Sequence, residues 1–147
     1  SGCPSACVRP QDNDFGIMGT TKPEILKENC VSCGRCTKAC KMDAITVDEE
    51  GVKIDRDKCI LCGACISACR KEALKAEKTG CTIFVGGRGG RSPKHGLKLI
   101  ELADEGQLFS ILEKTVEYYK REGLEGERFG DLLERLGIEK FREELLL

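Results

Sequence analysis

The chain has no tryptophan, and aromatic residues make up only 5% of its 147 positions, so large aromatic anchors contribute little to its core. Charge of one sign is lacking too: 24 basic residues face 25 acidic ones, for a net charge of −1. No overall positive field exists to draw in nucleic acid or an anionic membrane surface. No apolar run approaches the ~20 residues of a membrane-spanning helix. No secretory signal pattern is visible, and 33% charged residues describe a soluble chain. An initiator methionine is absent, and the sequence starts two residues before a cysteine, so it is expected to be part of a longer polypeptide.

Cysteine is what the sequence has in excess, with eleven residues. Disulfide frameworks belong to small secreted chains and rarely carry close C-x2-C runs. Zinc takes four ligands in two pairs, usually with a long spacer between the pairs. Here eight of the cysteines fall in two tight runs of C-x2-C-x2-C-x3-C. Such runs point to iron–sulfur clusters in a reducing cytoplasm, with zinc as the structural alternative.

The two runs form an internal repeat. Asn29–Ile45 (NCVSCGRCTKACKMDAI) and Lys58–Leu74 (KCILCGACISACRKEAL) align at an offset of 29, matching every cysteine as well as Gly34/Gly63, Ala39/Ala68 and Ala44/Ala73. Short spacers let one loop reach three corners of a cubane, and the fourth ligand must come from elsewhere. A glycine after the second cysteine allows close approach of the loop. Between the quartets, AITVDEEGVKID alternates apolar and polar residues about a Glu-Glu-Gly turn, which predicts a β-hairpin over 44–55. A short helix is expected around each fourth cysteine, with a short strand after each quartet.

The repeat resembles the two-[4Fe–4S] bacterial ferredoxins over roughly 55 residues. That resemblance implies crossed ligation, in which the fourth cysteine of each run serves the other cluster. One cluster would take Cys30, Cys33, Cys36 and Cys69, and the other Cys59, Cys62, Cys65 and Cys40. The ferredoxin pattern ends in Cys-Pro, whereas Lys41 and Arg70 follow the fourth cysteines here. A cation beside a cluster favours its reduced state and raises its potential; the alternative is that both side chains simply face solvent.

The flanks differ in kind. Asp14–Gly19 (DFGIMG) and the start of Cys81–Arg91 (CTIFVGGRGGR) are strand-like, the latter running into a glycine-rich basic loop. That loop fits neither G-x-G-x-x-G nor G-x-x-x-x-G-K-[ST], so it is not a nucleotide site. From Leu97 the pattern reads as helical, with Gly106, Gly123 and Gly137 as stops, Asp131 as an N-cap, and Leu108, Ile111, Leu112, Thr115 and Tyr119 on one buried stripe. A last helix is expected over Ile138–Leu147.

The stretch GCPSACVRPQDNDFGIMG resembles the sirohaem sulfite and nitrite reductase family at the second half of its cofactor motif. FVGGRGGRSPKHG and the tail YYKREGLEGERFGDLLERLG extend the likeness to dissimilatory-type and anaerobic sulfite reductases, which carry an inserted ferredoxin. In that family an upstream C-x5-C and a downstream C-x3-C together hold one [4Fe–4S] cluster, and the last cysteine also bridges to the sirohaem iron. The resemblance makes Cys3 and Cys7 the C-x3-C half and Cys7 the bridging, catalytic thiolate. The C-x5-C half is expected in polypeptide outside this chain.

The fold implied is α+β: a two-cluster ferredoxin-like domain (22–78) inserted in an α/β sirohaem/[4Fe–4S] reductase domain (1–21 and 79–147) with a helical C-terminal tail. Arg9, Arg88, Arg91 and Lys94 become candidates for the tetrapyrrole carboxylates or an oxyanion. His95 is read as a titratable surface group and Cys81 as a small packed hydrophobe. The implied function is six-electron reduction of sulfite or nitrite in the cytoplasm of an anaerobic cell. Two [4Fe–4S] clusters would relay electrons from a redox donor protein or subunit to a coupled sirohaem–[4Fe–4S] centre. By itself the chain is expected to be inactive. The competing reading is a non-catalytic ferredoxin-type electron-transfer module.

Overall fold

A computed structural model describes residues 1–145. They form five strands and five α-helices, and they divide into two compact units. One unit contains residues 3–5 and 20–79; the other contains 1–2, 6–19 and 80 onward. Strands β1 (Phe15–Ile25), β4 (Leu74–Val85) and β5 (Leu97–Ala103) make a three-stranded sheet in the order β1-β4-β5. Both β1 and β4 are longer than the strand-like stretches in the sequence suggest, because β1 continues through Thr20–Ile25 and β4 begins directly after the second quartet.

In the cysteine-rich unit, β2 (Ile45–Asp48) and β3 (Gly51–Ile54) form the expected antiparallel hairpin, with Ile45 opposite Ile54 and Asp48 opposite Gly51. Asp48 closes the turn by accepting from the Glu50 N–H at 3.0 Å, and Gly51 takes the positive φ of 106° that the turn requires. Helices α1 (Arg35–Ala39) and α2 (Ala64–Ala68) occupy equivalent places in the two repeats. Each contains the third cysteine of its run and ends before the fourth, so Cys40 and Cys69 are caps in extended conformation rather than helical residues.

In the other unit, β5 pairs antiparallel with β4, Val85 opposite Leu97 and Cys81 opposite Ala103. This overturns the helical reading of residues 97–103. The segment LKLIELA is interrupted by a register shift, and Leu102 has a left-handed φ of 53°; the bulge breaks the strand alternation and leaves apolar spacings that imitate a helix. Gly106 is not a stop either. It lies in the first turn of α3 (Glu105–Glu122), whose N-cap Asp104 forms a reciprocal capping box with Gln107. Ile111, Thr115 and Tyr118 carry the buried face of α3, whereas Tyr119 is 38% exposed.

Helix α4 (Phe129–Leu136) has Arg128 rather than Asp131 as its N-cap, Asp131 lying in its first turn, and Gly137 ends it with φ 85°. Helix α5 covers Ile138–Leu145; Leu146 and Leu147, included in the expected helix, lie outside the described residues. The core is built by Ile83, Val85, Ile111, Tyr118, Phe129, Leu132, Phe141 and Leu145. Phe141 meets Tyr118 and Phe129 with ring centroids 5.0 and 5.4 Å apart. At the end of β4, Gly86 and Gly130 are in backbone contact, which leaves no room for a Cβ on Gly130.

Candidate functional site

The two cysteine quartets build two hollows. One is lined by Cys30, Cys33, Cys36 and Cys69, the other by Cys40, Cys59, Cys62 and Cys65. Each hollow therefore gathers three cysteines of one run and the fourth of the other.

The local backbone explains how a loop reaches three corners. In each run the residue before the second cysteine is left-handed (Ser32, φ 51°; Leu61, φ 57°), as is the glycine after it (Gly34, φ 68°; Gly63, φ 69°). Three residues beyond each fourth cysteine, Asp43 (φ 49°) and Glu72 (φ 54°) repeat the pattern. Left-handed conformation costs roughly 1–2 kcal/mol at a non-glycine residue, and four such residues recur at equivalent places in the repeat. Strain concentrated in this way marks segments shaped for a ligand. The Leu61 carbonyl accepts from the Thr21 N–H at 2.7 Å, fixing its loop.

The sulfurs are graded in accessibility. Cys33 and Cys62 are exposed, Cys36 and Cys65 are buried, and the other four lie between. Burial pushes the Cys65 thiol up to about 11, and neighbouring Cys62 and Cys59 add to the shift. Burial likewise raises Cys36, helped by Cys69 and Cys30, which are partners from its own hollow. Burial therefore favours the neutral thiol at both positions, and metal binding would have to displace the proton. The Ala44 N–H points at Cys40 Sγ at 3.4 Å, a dipole that favours negative sulfur. Among the described residues, no three His, Cys, Asp or Glu side chains converge on a single metal ion. Eight cysteines surrounding two hollows fit a multi-atom iron–sulfur group in each.

At the N-terminus, Cys3 is exposed, and hydrogen bonding from Ser5 lowers its thiol below the ordinary value. Cys7 is exposed as well and lies in a tight turn where Ala6 (φ 49°) and Arg9 (φ 46°) are left-handed and the Arg9 N–H donates to the Ala6 carbonyl at 2.7 Å. Arg9 reaches Asp12 at 2.8 Å, and the other oxygen of the same carboxylate holds His95 Nδ1 at 2.7 Å. Sequence reasoning left His95 as a solitary surface group. The link to Asp12, 83 residues earlier, had no local signal.

The basic loop is only partly free. Arg88 pairs with Asp131 at 3.4 Å and binds the Ser92 carbonyl at 3.0 Å, and Lys94 pairs with Glu134 at 2.6 Å. Arg88 and Lys94 thus brace the loop against α4. Arg91 is exposed and makes no ion pair among the described residues. Lys41 and Arg70 are exposed and line neither hollow. Cys81 is packed at 9% exposure, with its thiol pushed up by burial.

A three-stranded sheet with helices, in one chain with a unit holding two four-cysteine hollows, fits an iron–sulfur protein. The chain belongs to the nitrite and sulphite reductase 4Fe-4S domain family, which matches residues 1–147. It is similar to the coenzyme F420-dependent sulfite reductase of Methanocaldococcus jannaschii, with 42% identity over 147 residues covering 99% of this chain and 24% of that protein. It is 26% identical over 167 residues to the alpha subunit of the dissimilatory-type sulfite reductase of Allochromatium vinosum, covering 97% of this chain and 40% of that one. The fold is shared with the crystal structure of dissimilatory sulfite reductase I, at a TM-score of 0.67 and 24% identity, over 97% of this chain and 40% of that one. The chain spans 24–50% of the length of the curated relatives that it matches almost end to end. No helix among the described residues is long and apolar enough to cross a membrane.

Proposed function

We propose that this chain is the electron-delivering part of a sirohaem-dependent sulfite reductase, with residues 22–78 as a two-cluster insert in a reductase domain formed by 1–21 and 79–147. The observation that carries the reading is the crossed lining of the two hollows. Cys30, Cys33, Cys36 and Cys69 would hold one [4Fe–4S] cluster, and Cys40, Cys59, Cys62 and Cys65 the other. A cubane held by four thiolates supplies one-electron transfer at low potential. The chain's own residues set its surroundings: left-handed Ser32, Gly34, Leu61 and Gly63 keep the backbone close, and the Ala44 N–H stabilises the Cys40 thiolate. Cys3 and Cys7 would supply two of the four thiolates of a third cluster, and Cys7 the bridge to the sirohaem iron. Arg9 and Arg91 would meet the tetrapyrrole carboxylates, and Arg88 and Lys94 would hold the loop that presents them. The relatives' names favour sulfite over nitrite as substrate. A cytoplasmic setting and a protein electron donor complete the proposal.

Anaerobic reconstitution tests it. The chain should bind about eight iron and eight sulfide, and a stoichiometry near half of that would refute the two-cluster reading. Cys40→Ala should remove the cluster held by Cys59, Cys62 and Cys65; loss of the other one instead would refute crossed ligation. Sulfite reduction should require added polypeptide with a C-x5-C pair and sirohaem, and Cys7→Ala should abolish it. Turnover by the 147-residue chain alone would contradict the assignment of Cys3 and Cys7 as half a site.

A further inference from the structure

The two hollows share one backbone plan, yet their rims differ in charge. Arg35 and Lys71 line the hollow of Cys30, Cys33, Cys36 and Cys69, beside Val31, which is 60% exposed. Neither cation forms an ion pair among the described residues, and Lys38, one turn beyond Arg35 on α1, is likewise exposed and unpaired. The hollow of Cys40, Cys59, Cys62 and Cys65 is edged by Pro23, Met42 and Ile60, with no charged side chain in its lining. Of the other basic residues in the unit, Lys53 pairs with Asp48 and Glu50 at 2.8 Å each and Lys58 with Asp55 at 3.4 Å, while exposed Lys41 and Arg70 line neither hollow.

We propose that an electron-donor protein with an acidic face docks on the Val31–Arg35–Lys71 rim, so that electrons reach the chain first at the hollow of Cys30, Cys33, Cys36 and Cys69. The inference rests on the two-cluster reading and adds the side of arrival and the chemistry of the partner. Two unpaired cations beside an exposed apolar side chain suit a transient interface, and complementary charge mainly raises the rate of productive encounter. Exposed Cys33 brings a ligand sulfur to the surface there. Each encounter moves one electron: the donor is oxidised by one, the cluster is reduced by one, and no bond or proton changes hands. The lining of the second hollow carries no charged side chain to attract an acidic face.

The test is stopped-flow reduction of the cluster-loaded full chain by a reduced, acidic plant-type ferredoxin, followed by bleaching of the visible absorbance. The second-order rate should fall as salt rises. Arg35→Gln with Lys71→Gln should lower it about tenfold and flatten the salt dependence, whereas Arg35→Lys should retain it. Lys53→Gln with Lys58→Gln should leave the rate unchanged, and dithionite should reduce every variant fully. An unchanged rate in the Arg35/Lys71 variant, or an equal loss in the Lys53/Lys58 control, would overturn the proposal. So would a loss appearing instead in Met42→Glu with Ile60→Glu, which would put arrival at the other hollow. Iron analysis of the same samples separates the two layers: a chain with half the iron overturns the two-cluster reading itself, while full iron with an unaltered rate overturns only the docking rim.

Discussion

The two units are held together by different means. In the unit that contains the helical tail, Ile83, Tyr118, Phe129, Leu132 and Phe141 are at most 5% exposed and pack into one continuous core. In the cysteine unit the buried core comprises Cys36, Ile45, Val52, Cys65 and Leu74, so two of its five members are proposed ligands. A unit of roughly 60 residues is marginal on apolar burial alone, and this one also carries strained left-handed residues. One unit can thus fold by excluding water, while the other, on the proposed reading, would rely on the clusters its cysteines hold.

Removing the clusters should therefore produce the largest effect, and an unequal one. Chelation under oxidising conditions should unfold residues 20–79, because ligand binding free energy is folding free energy in such a unit. Helices α3, α4 and α5 should survive. Hydrogen exchange would check this: protection lost in β2, β3, α1 and α2 but kept at Ile111–Tyr118. Simultaneous loss in both units would show that the second depends on the first.

Next in size is a cavity in the apolar core. Phe141 is fully buried against two rings, and Phe141→Ala should cost about 3–5 kcal/mol in denaturant unfolding followed by helical signal. The visible spectrum of bound clusters should be unaltered. A variant that lost its clusters at unchanged helix content would break the distinction drawn between the units.

How far the sequence could reveal this difference depends on where each signal lies. The cysteine unit is legible because its cysteines and glycines repeat at a fixed offset, and the hairpin between them is written in local alternation and a Glu-Glu-Gly turn. Its hidden part is the strain at Ser32, Leu61, Asp43 and Glu72, residue types that do not advertise a left-handed backbone. The helical unit was less legible. A bulge at Leu102 disguised β5, and the capping box of Asp104 and Gln107 was masked by Gly106 inside the first turn. Arg88 and Lys94 look like anion ligands in a glycine-rich loop, but their carboxylate partners lie about 40 residues away.

A smaller and opposite effect is expected at Tyr118. Tyr118 is 2% exposed, and its buried hydroxyl has no hydrogen-bond partner among the described residues. Burial accordingly raises its pKa above the ordinary value. An unpaired buried hydroxyl costs about 1–3 kcal/mol of desolvation, so Tyr118→Phe should stabilise the helical unit by about 1 kcal/mol in the same unfolding assay. A loss of stability would mean that the hydroxyl has a partner, such as an ordered water.

The smallest effect separates the units by acid. Glu127 receives Arg135 through two bonds of 2.8 Å and the Leu124 N–H at 3.0 Å. Hydrogen bonding by Arg135 is the main cause, and the backbone N–H the second, of a carboxyl drawn from its ordinary 4.5 down to about 2. A carboxyl depressed in the folded state contributes stability that is fully present above the unfolded value. That contribution is lost as pH falls through the folded one. The window is therefore pH 4.5 to about 2. Glu122 and Glu134 are held below their ordinary values in the same unit by Arg121 and Lys94, so Glu127 accounts for part of the slope. These pairs lie near the surface, where salt screens them. In low salt, the Tm of the helical unit should fall across that window, and the fall should be shallower in Glu127→Gln, whose Tm at neutral pH should already be lower. Added salt should narrow the gap between the two proteins. Parallel curves for both across the window would show that the Arg135 pair contributes nothing to acid stability.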